Sequence, residues 1–248
     1  MGFLDQSLII AGTHGVEPQS VYFAEKLAES LDLVDLSNDE IASLTLAMTN
    51  KETSPMSSRE AQLQSDLIKK MKIRKAQNTS LYMITCLNPN GLEAKTRGNA
   101  NLVDLNRNMP SQNWKFSELE NNPYYPGNAP ASEEETKVLL ELLKISKPKT
   151  ILSFHTNHFV ANANEPQINY DAVFDPANPS SKEDLEIYNW GLELASRCKL
   201  PLTRDIGYDT PGSLGSYAKD HGIHCFTVEF EDELTSAKLW NKYSKFFV

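Results

Sequence analysis

Cysteine is scarce in this chain: Cys86, Cys198 and Cys225 are the only ones among 248 residues, they are widely separated, and none sits in a C-x-x-C arrangement. A disulfide framework is excluded on that count, and reduced, buried thiols are expected instead. Long apolar runs are lacking too. No stretch approaches the roughly 18 consecutive apolar residues of a membrane span, and the opening Met1-Gly2-Phe3-Leu4-Asp5-Gln6 has neither the basic nor the sustained apolar region of a secretory signal. Basic residues are in deficit, 24 Lys and Arg against 33 Asp and Glu, for a formal net charge of −9. Such a surface disfavours nucleic acid and membranes as partners, while leaving room for a local basic pocket that takes a small acidic ligand. A soluble cytoplasmic protein is the expectation, and a homodimer is compatible with it.

What is present is an alternation of two patterns. Leu8-Ile9-Ile10, Leu81-Tyr82-Met83-Ile84, Thr150-Ile151-Leu152-Ser153-Phe154 and Cys225-Phe226-Thr227-Val228 are short, apolar and β-favouring, and read as buried strands. Between them, Val21, Ala24, Ala28 and Leu31 share one helical face and Leu63, Leu67 and Met71 another. Ser132-Glu133-Glu134-Glu135 reads as a capping box before the apolar stripe Val138, Leu139, Leu142 and Leu143. Strands alternating with helices predict an α/β fold, a mixed but largely parallel twisted sheet with helices on both faces. No repeat or linker divides the chain, so a single domain over residues 1–248 is expected. Two stretches, Asn88 to Ala131 and Thr156 to Ser180, are too long and too rich in Asn, Pro and Gly for simple connectors, and loops of that kind are usually functional or disordered.

Chemistry concentrates where strands end. His14 and Glu17, in Ala11-Gly12-Thr13-His14-Gly15-Val16-Glu17, follow the first apolar run, and His155 directly follows Phe154. An imidazole, a carboxylate and a second imidazole at the carboxyl edge of an open α/β sheet are the donors of a catalytic zinc site of the two-His, one-Glu type. Taken alone, His14 and Glu17 read equally well as a loop histidine beside a helix start, with Glu17 favoured by the helix dipole. His158, His221 and His224 have no partner at ligand spacing and read as structural.

The stretch Leu87 to Trp114 carries Asn88-Pro89-Asn90-Gly91, Arg97-Gly98-Asn99-Ala100-Asn101 and Val103-Asp104-Leu105-Asn106-Arg107-Asn108-Met109-Pro110 in order, and here the chain resembles the zinc carboxypeptidase family. The resemblance implies one zinc ion held by His14, Glu17 and His155. It implies that Arg97 polarises the scissile carbonyl and that Asn106 with Arg107 binds the substrate's terminal carboxylate. A guanidinium suits both tasks, because it pairs with carboxylate bidentately and stabilises an oxyanion. Thr227-Val228-Glu229-Phe230 matches the strand that bears the family's catalytic glutamate, which makes Glu229 the general base. A carboxylate inside an apolar strand is costly to bury unless paired or raised in pKa, an environment suited to a proton shuttle.

Gly207-Tyr208-Asp209-Thr210-Pro211-Gly212-Ser213-Leu214-Gly215-Ser216-Tyr217, together with the Gly-Thr-His-Gly opening, narrows the resemblance to the murein tripeptide amidases of that family. It implies hydrolysis of the γ-D-glutamyl bond to meso-diaminopimelate during cell-wall peptide recycling, on a small peptide with a free carboxylate. Tyr208 matches the mobile tyrosine that caps the substrate. Leu214 matches a specificity-pocket position and is not acidic, which disfavours Lys or Arg at the scissile end. Asp104 is placed either to orient His14 through its second ring nitrogen or to cap a loop. Rival readings are a general metallocarboxypeptidase, a desuccinylase or aspartoacylase type of deacylase, and a silent binding protein that keeps the arginines without hydrolysing.

Overall fold

Ser7–Ala11 forms the strand β1 at the heart of a sheet, and every residue of it is buried, as an uninterrupted apolar run requires when both sheet faces are covered. The computed structural model describes residues 4–49, 57–119, 122–156, 167–170, 181–204 and 208–248. Along the chain β1 is followed by α1 (Pro18–Ser30), β2 (Val34–Asp35), α2 (Asn38–Thr49), α3 (Ser58–Met71), β3 (Ile73–Lys75), β4 (Tyr82–Ile84) and α4 (Pro89–Ala94). Then come α5 (Glu134–Ser146), β5 (Thr150–Thr156), β6 (Gln167–Tyr170), α6 (Lys182–Cys198), β7 (Leu202–Thr203), α7 (Leu214–Asp220), β8 (His224–Phe230) and α8 (Ser236–Tyr243).

The strands make one 8-stranded sheet in the order β2-β3-β4-β1-β5-β8-β6-β7. Its centre, β4-β1-β5-β8, is parallel. The β2-β3-β4 side and the β8-β6 pairing are antiparallel, while β6 and β7 run parallel. The sheet is therefore mixed and mostly parallel, as expected, and the predicted runs fall on β1, β4, β5 and β8. The outer strands, two to four residues long, lack the continuous apolar run that marks the other four.

Alternation along β1 divides the core. Ile9 and Ala11 point to one face, where α1, α6 and α8 cover the sheet with Phe23, Leu27, Leu194 and Leu239; Leu8 and Ile10 point to the other, where α2, α3, α5 and α7 contribute Leu44, Met71, Leu139 and Ala218. The first face is aromatic: Phe23 of α1 meets Phe154 edge-on at 5.4 Å and lies 4.8 Å from the ring of Phe230. Pro18 opens α1 at its first turn, where its missing N–H costs nothing.

Two helix details differ from expectation. Leu63 is 61% exposed; the buried side of α3 runs through Ile68 and Met71, one turn and more beyond it. Ser132 does not cap α5: Glu133 is the N-cap residue, and the Ser132 hydroxyl donates to Glu133 Oε1 at 2.6 Å instead. A buried hydrogen bond from Asn99 and a partly buried one from Asn101 hold the Glu133 carboxylate there, away from a reciprocal cap. Ser57 and Glu60 make that reciprocal box, at the start of α3. Among the described residues no helix is long and apolar enough to cross a membrane. His158 and most of the stretch from Thr156 to Ser180 lie outside the described residues.

Candidate metal centre

Parallel pairing puts the carboxyl ends of β1, β5 and β8 on one edge of the sheet. His14 and Glu17 stand on the turn after β1; His155 is near the end of β5, and Glu229 of β8 is its register partner. The three donors expected from sequence meet. His14 Nδ1 is 2.6 Å from Glu17 Oε1, His155 Nδ1 is 3.1 Å from Glu17 Oε2, and one ligand atom from each lies within 4.8 Å of the others. All three side chains are buried.

The far nitrogens are engaged as metal-ligand imidazoles require. Asp104 Oδ1 lies 3.2 Å from His14 Nε2, and Ser153 Oγ lies 3.0 Å from His155 Nε2. Each imidazole thus presents Nδ1 inward and is oriented from behind. The Asp104 contact is the orienting role the sequence left open. Ser153 was not anticipated; its signal is the i, i+2 spacing to His155, which places both side chains on one face of a strand.

Asp104 also receives Arg97, whose Nε and Nη2 both sit 2.9 Å from Oδ2, and it caps the short turn Leu105–Arg107 by accepting the Asn106 N–H at 2.9 Å. Asn106 Oδ1 accepts the Leu214 N–H at 2.9 Å, which fixes its amide orientation against the start of α7. Leu214 itself is buried in the apolar cluster with Leu105 and Met109. Arg107, buried, donates from Nη1 to the Asn106 carbonyl at 2.6 Å and reaches the ring of Tyr208 at 6.0 Å. Backbones converge without side chains where these loops touch: a Cβ on Gly15 would fall 1.9 Å from the Gly91 carbonyl carbon. Only glycine lets the His14 turn pack on the start of α4.

Electrostatics follow from burial and neighbours. Burial pushes Glu229 up to about 7, opposed by His155 and reinforced by the Glu17 charge. Burial also works on Glu17, but attraction to His14 and then His155 outweighs it and holds the carboxyl well below its usual range. Asp104 goes the same way, with Arg97 and His14 overcoming burial. Burial pushes the thiols of Cys86 and Cys198 up to about 12, so neither is a nucleophile or a ready metal ligand.

A zinc ion fits this donor set. Two imidazole nitrogens and a carboxylate converge, and three protein donors leave a position open. Glu17 is buried and ionised beside the two imidazoles, a negative charge that a bound cation would neutralise. Glu229 Oε2 is buried with no hydrogen-bond partner among the described residues, a cost that an open, ligand-binding position beside it explains.

Fold and site together define a single-metal centre of the catalytic type at the carboxyl edge of an α/β sheet. The chain belongs to the zinc carboxypeptidase family, whose model matches residues 62–236. Membership implies one zinc ion; the matched segment contains His155 but not His14 and Glu17, which geometry alone brings to it. Murein peptide amidase A of Escherichia coli K12 is 35% identical over 159 residues, 60% of this chain and 57% of the relative. The namesake from Vibrio campbellii is 31% identical over 157 residues, 59% and 55% of the two chains. The chain thus spans somewhat over half the length of these curated relatives. Among solved structures, murein-tripeptide amidase from Escherichia coli O157 is 27% identical with a TM-score of 0.61, covering 97% of this chain and 78% of that one. Thrombin-activatable fibrinolysis inhibitor, 18% identical with a TM-score of 0.61 over 97% of this chain and 61% of that one, shares the fold.

Proposed function

We propose that this chain is a zinc-dependent hydrolase of an amide bond next to a terminal carboxylate, and that its substrate is the γ-D-glutamyl–meso-diaminopimelate bond of murein tripeptide. The observation that carries the reading is the convergence, at one sheet edge, of the His14, Glu17 and His155 donors with a buried Glu229 carboxylate and two guanidiniums. Similarity to the murein peptide amidases of Escherichia coli supports the substrate.

When bound, zinc supplies Lewis-acid activation of a water molecule and of the scissile carbonyl. Glu229 accepts the proton of the attacking water at its unpaired Oε2 and returns it to the leaving amine nitrogen; its raised pKa near 7 suits both halves of that transfer. Arg97, directed by Asp104, donates to the carbonyl oxygen as it becomes an oxyanion. Asn106 and Arg107 hold the substrate's free carboxylate and so select the bond next to it. Tyr208 closes over the bound peptide, and Leu214, an apolar residue at the first turn of α7, puts no acidic group at the specificity position. We read residues 1–248 as one catalytic domain, because all described strands join one sheet, and as cytoplasmic, because its described cysteines are free and buried.

Incubation with L-Ala-γ-D-Glu-meso-diaminopimelate tests the proposal. Release of free diaminopimelate is expected. Cleavage of ordinary C-terminal α-peptides with no action on the γ-linked tripeptide would overturn the substrate and leave a general carboxypeptidase.

A further inference from the structure

Both guanidiniums of the site rest on one aromatic ring that no motif pointed to. The Arg97 Cζ lies 4.8 Å from the centroid of Tyr124 and the Arg107 Cζ lies 5.2 Å from it. Tyr208 stands on the same ring at 6.3 Å, tilted by 45°. Two like charges share the negative potential of one π-face system, so the ring offsets their mutual repulsion and limits where each can go.

The ring's own position is fixed by the chain around it. Asn122 Oδ1 accepts the Tyr124 N–H at 2.9 Å, and the Tyr125 carbonyl accepts the Asp104 N–H at 2.8 Å. The turn that carries Tyr124 is therefore bonded to the same residue whose carboxylate holds Arg97 and orients His14. Tyr124 is itself only half-buried.

We infer that Tyr124 is a positioning residue that sets the spacing of Arg97 and Arg107, and through it the enzyme's preference for a substrate with a free carboxylate one residue beyond the scissile carbonyl. The inference rests on the function proposed above, in which Arg97 serves the carbonyl and Arg107 the carboxylate. It assigns the tyrosine ring face, not its hydroxyl, to the task.

The test compares binding of the tripeptide acid with binding of its terminal carboxamide, by calorimetry on zinc-loaded protein carrying Glu229→Gln so that neither peptide turns over. Adding Tyr124→Leu is expected to cut the preference for acid over amide by about tenfold, the scale of a partly desolvated cation–π pair. Tyr124→Phe is expected to keep the preference within about twofold. A structural role alone would weaken both peptides equally and leave their ratio unchanged, and that result overturns the inference. So does a Phe variant that behaves like Leu, which would assign the effect to the hydroxyl, and so does failure of the acid to outbind the amide in the parent protein. If Leu prevents folding, seen by thermal melting, Tyr124→Met takes its place, with the same loss of preference, about tenfold, expected and an unchanged ratio overturning the inference. Turnover by the protein with Glu229 intact is measured separately: its absence, alongside a Tyr124-dependent acid preference, would remove the proposed hydrolysis and keep the role of Tyr124.

Discussion

Asp104 touches Arg97 with one carboxylate oxygen and His14 with the other, at 2.9 Å and 3.2 Å. A single buried side chain therefore ties a metal donor to the guanidinium beside the site. The tie is paid for by burial, which raises a carboxylate's pKa, but the two cationic or polar neighbours win and keep Asp104 ionised. Removing it leaves Arg97 without its main counter-charge and His14 without the acceptor behind its Nε2.

Asp104→Ala should accordingly weaken zinc binding by about 10- to 100-fold, the usual effect of losing an outer hydrogen-bond acceptor behind a metal-ligand histidine. Competition with a chelator of known affinity measures it. Unchanged zinc affinity would show that Ser153, Glu17 and packing suffice to hold the imidazoles.

Glu229→Gln separates proton transfer from metal binding. The register pairing of Glu229 with His155 puts it beside the donors without making it one of them, so the variant should keep stoichiometric zinc while turnover falls by about 100- to 10,000-fold. Elemental analysis and product release on the same sample check both halves. Loss of zinc together with activity would instead make Glu229 part of the metal's support.

The core makes its own prediction. Phe23 is fully buried and its ring meets Phe154, Phe230, Trp240 and Phe247. Phe23→Ala should cost about 3–5 kcal/mol in urea denaturation, because the loss of apolar burial adds to the cavity left among rings that cannot collapse. A cost below about 1 kcal/mol would mean that the C-terminal aromatics close the gap.

How much of this was legible in the sequence depended on the range of the signal. His14, Glu17 and His155 could be placed because each follows an apolar run that marks a strand end, and parallel strands deliver their carboxyl ends to one edge. Glu229 was legible only through the resemblance of Thr227-Val228-Glu229-Phe230 to the family's catalytic strand, because a carboxylate inside an apolar run carries no sign of its role by itself. Tyr124 was not: its relation to Arg97 and Arg107 is made by a turn bonded to Asp104, and nothing in Tyr124-Tyr125-Pro126-Gly127 announces which distant side chains it will face. Ser132 misled because a capping box is a local pattern, while the Glu133 carboxylate beside it is held by tertiary bonds from Asn99 and Asn101. Leu63 misled in the opposite way, since helical periodicity names a stripe but not where along the helix the neighbouring layer ends.

That buried cluster also predicts a pH dependence. Glu135 is 4% exposed, and burial raises its pKa above the ordinary 4.5, with the Asn99 amide, 3.1 Å away, pulling the other way and the neighbouring Glu133 charge adding to the rise. A group raised in the folded state holds its proton after the unfolded chain has lost it. Its favourable contribution is therefore fully present below pH 4.5 and is lost as pH rises through the folded pKa. Glu135→Gln has no proton to lose and can still accept from Asn99. The variant should gain stability over the parent as pH rises through that window, reaching a constant advantage at neutral pH. Urea denaturation of both proteins across the series from acid to neutral pH measures the difference; an advantage that is greatest at acid pH, or flat throughout, would mean that the Asn99 bond, and not burial, governs Glu135.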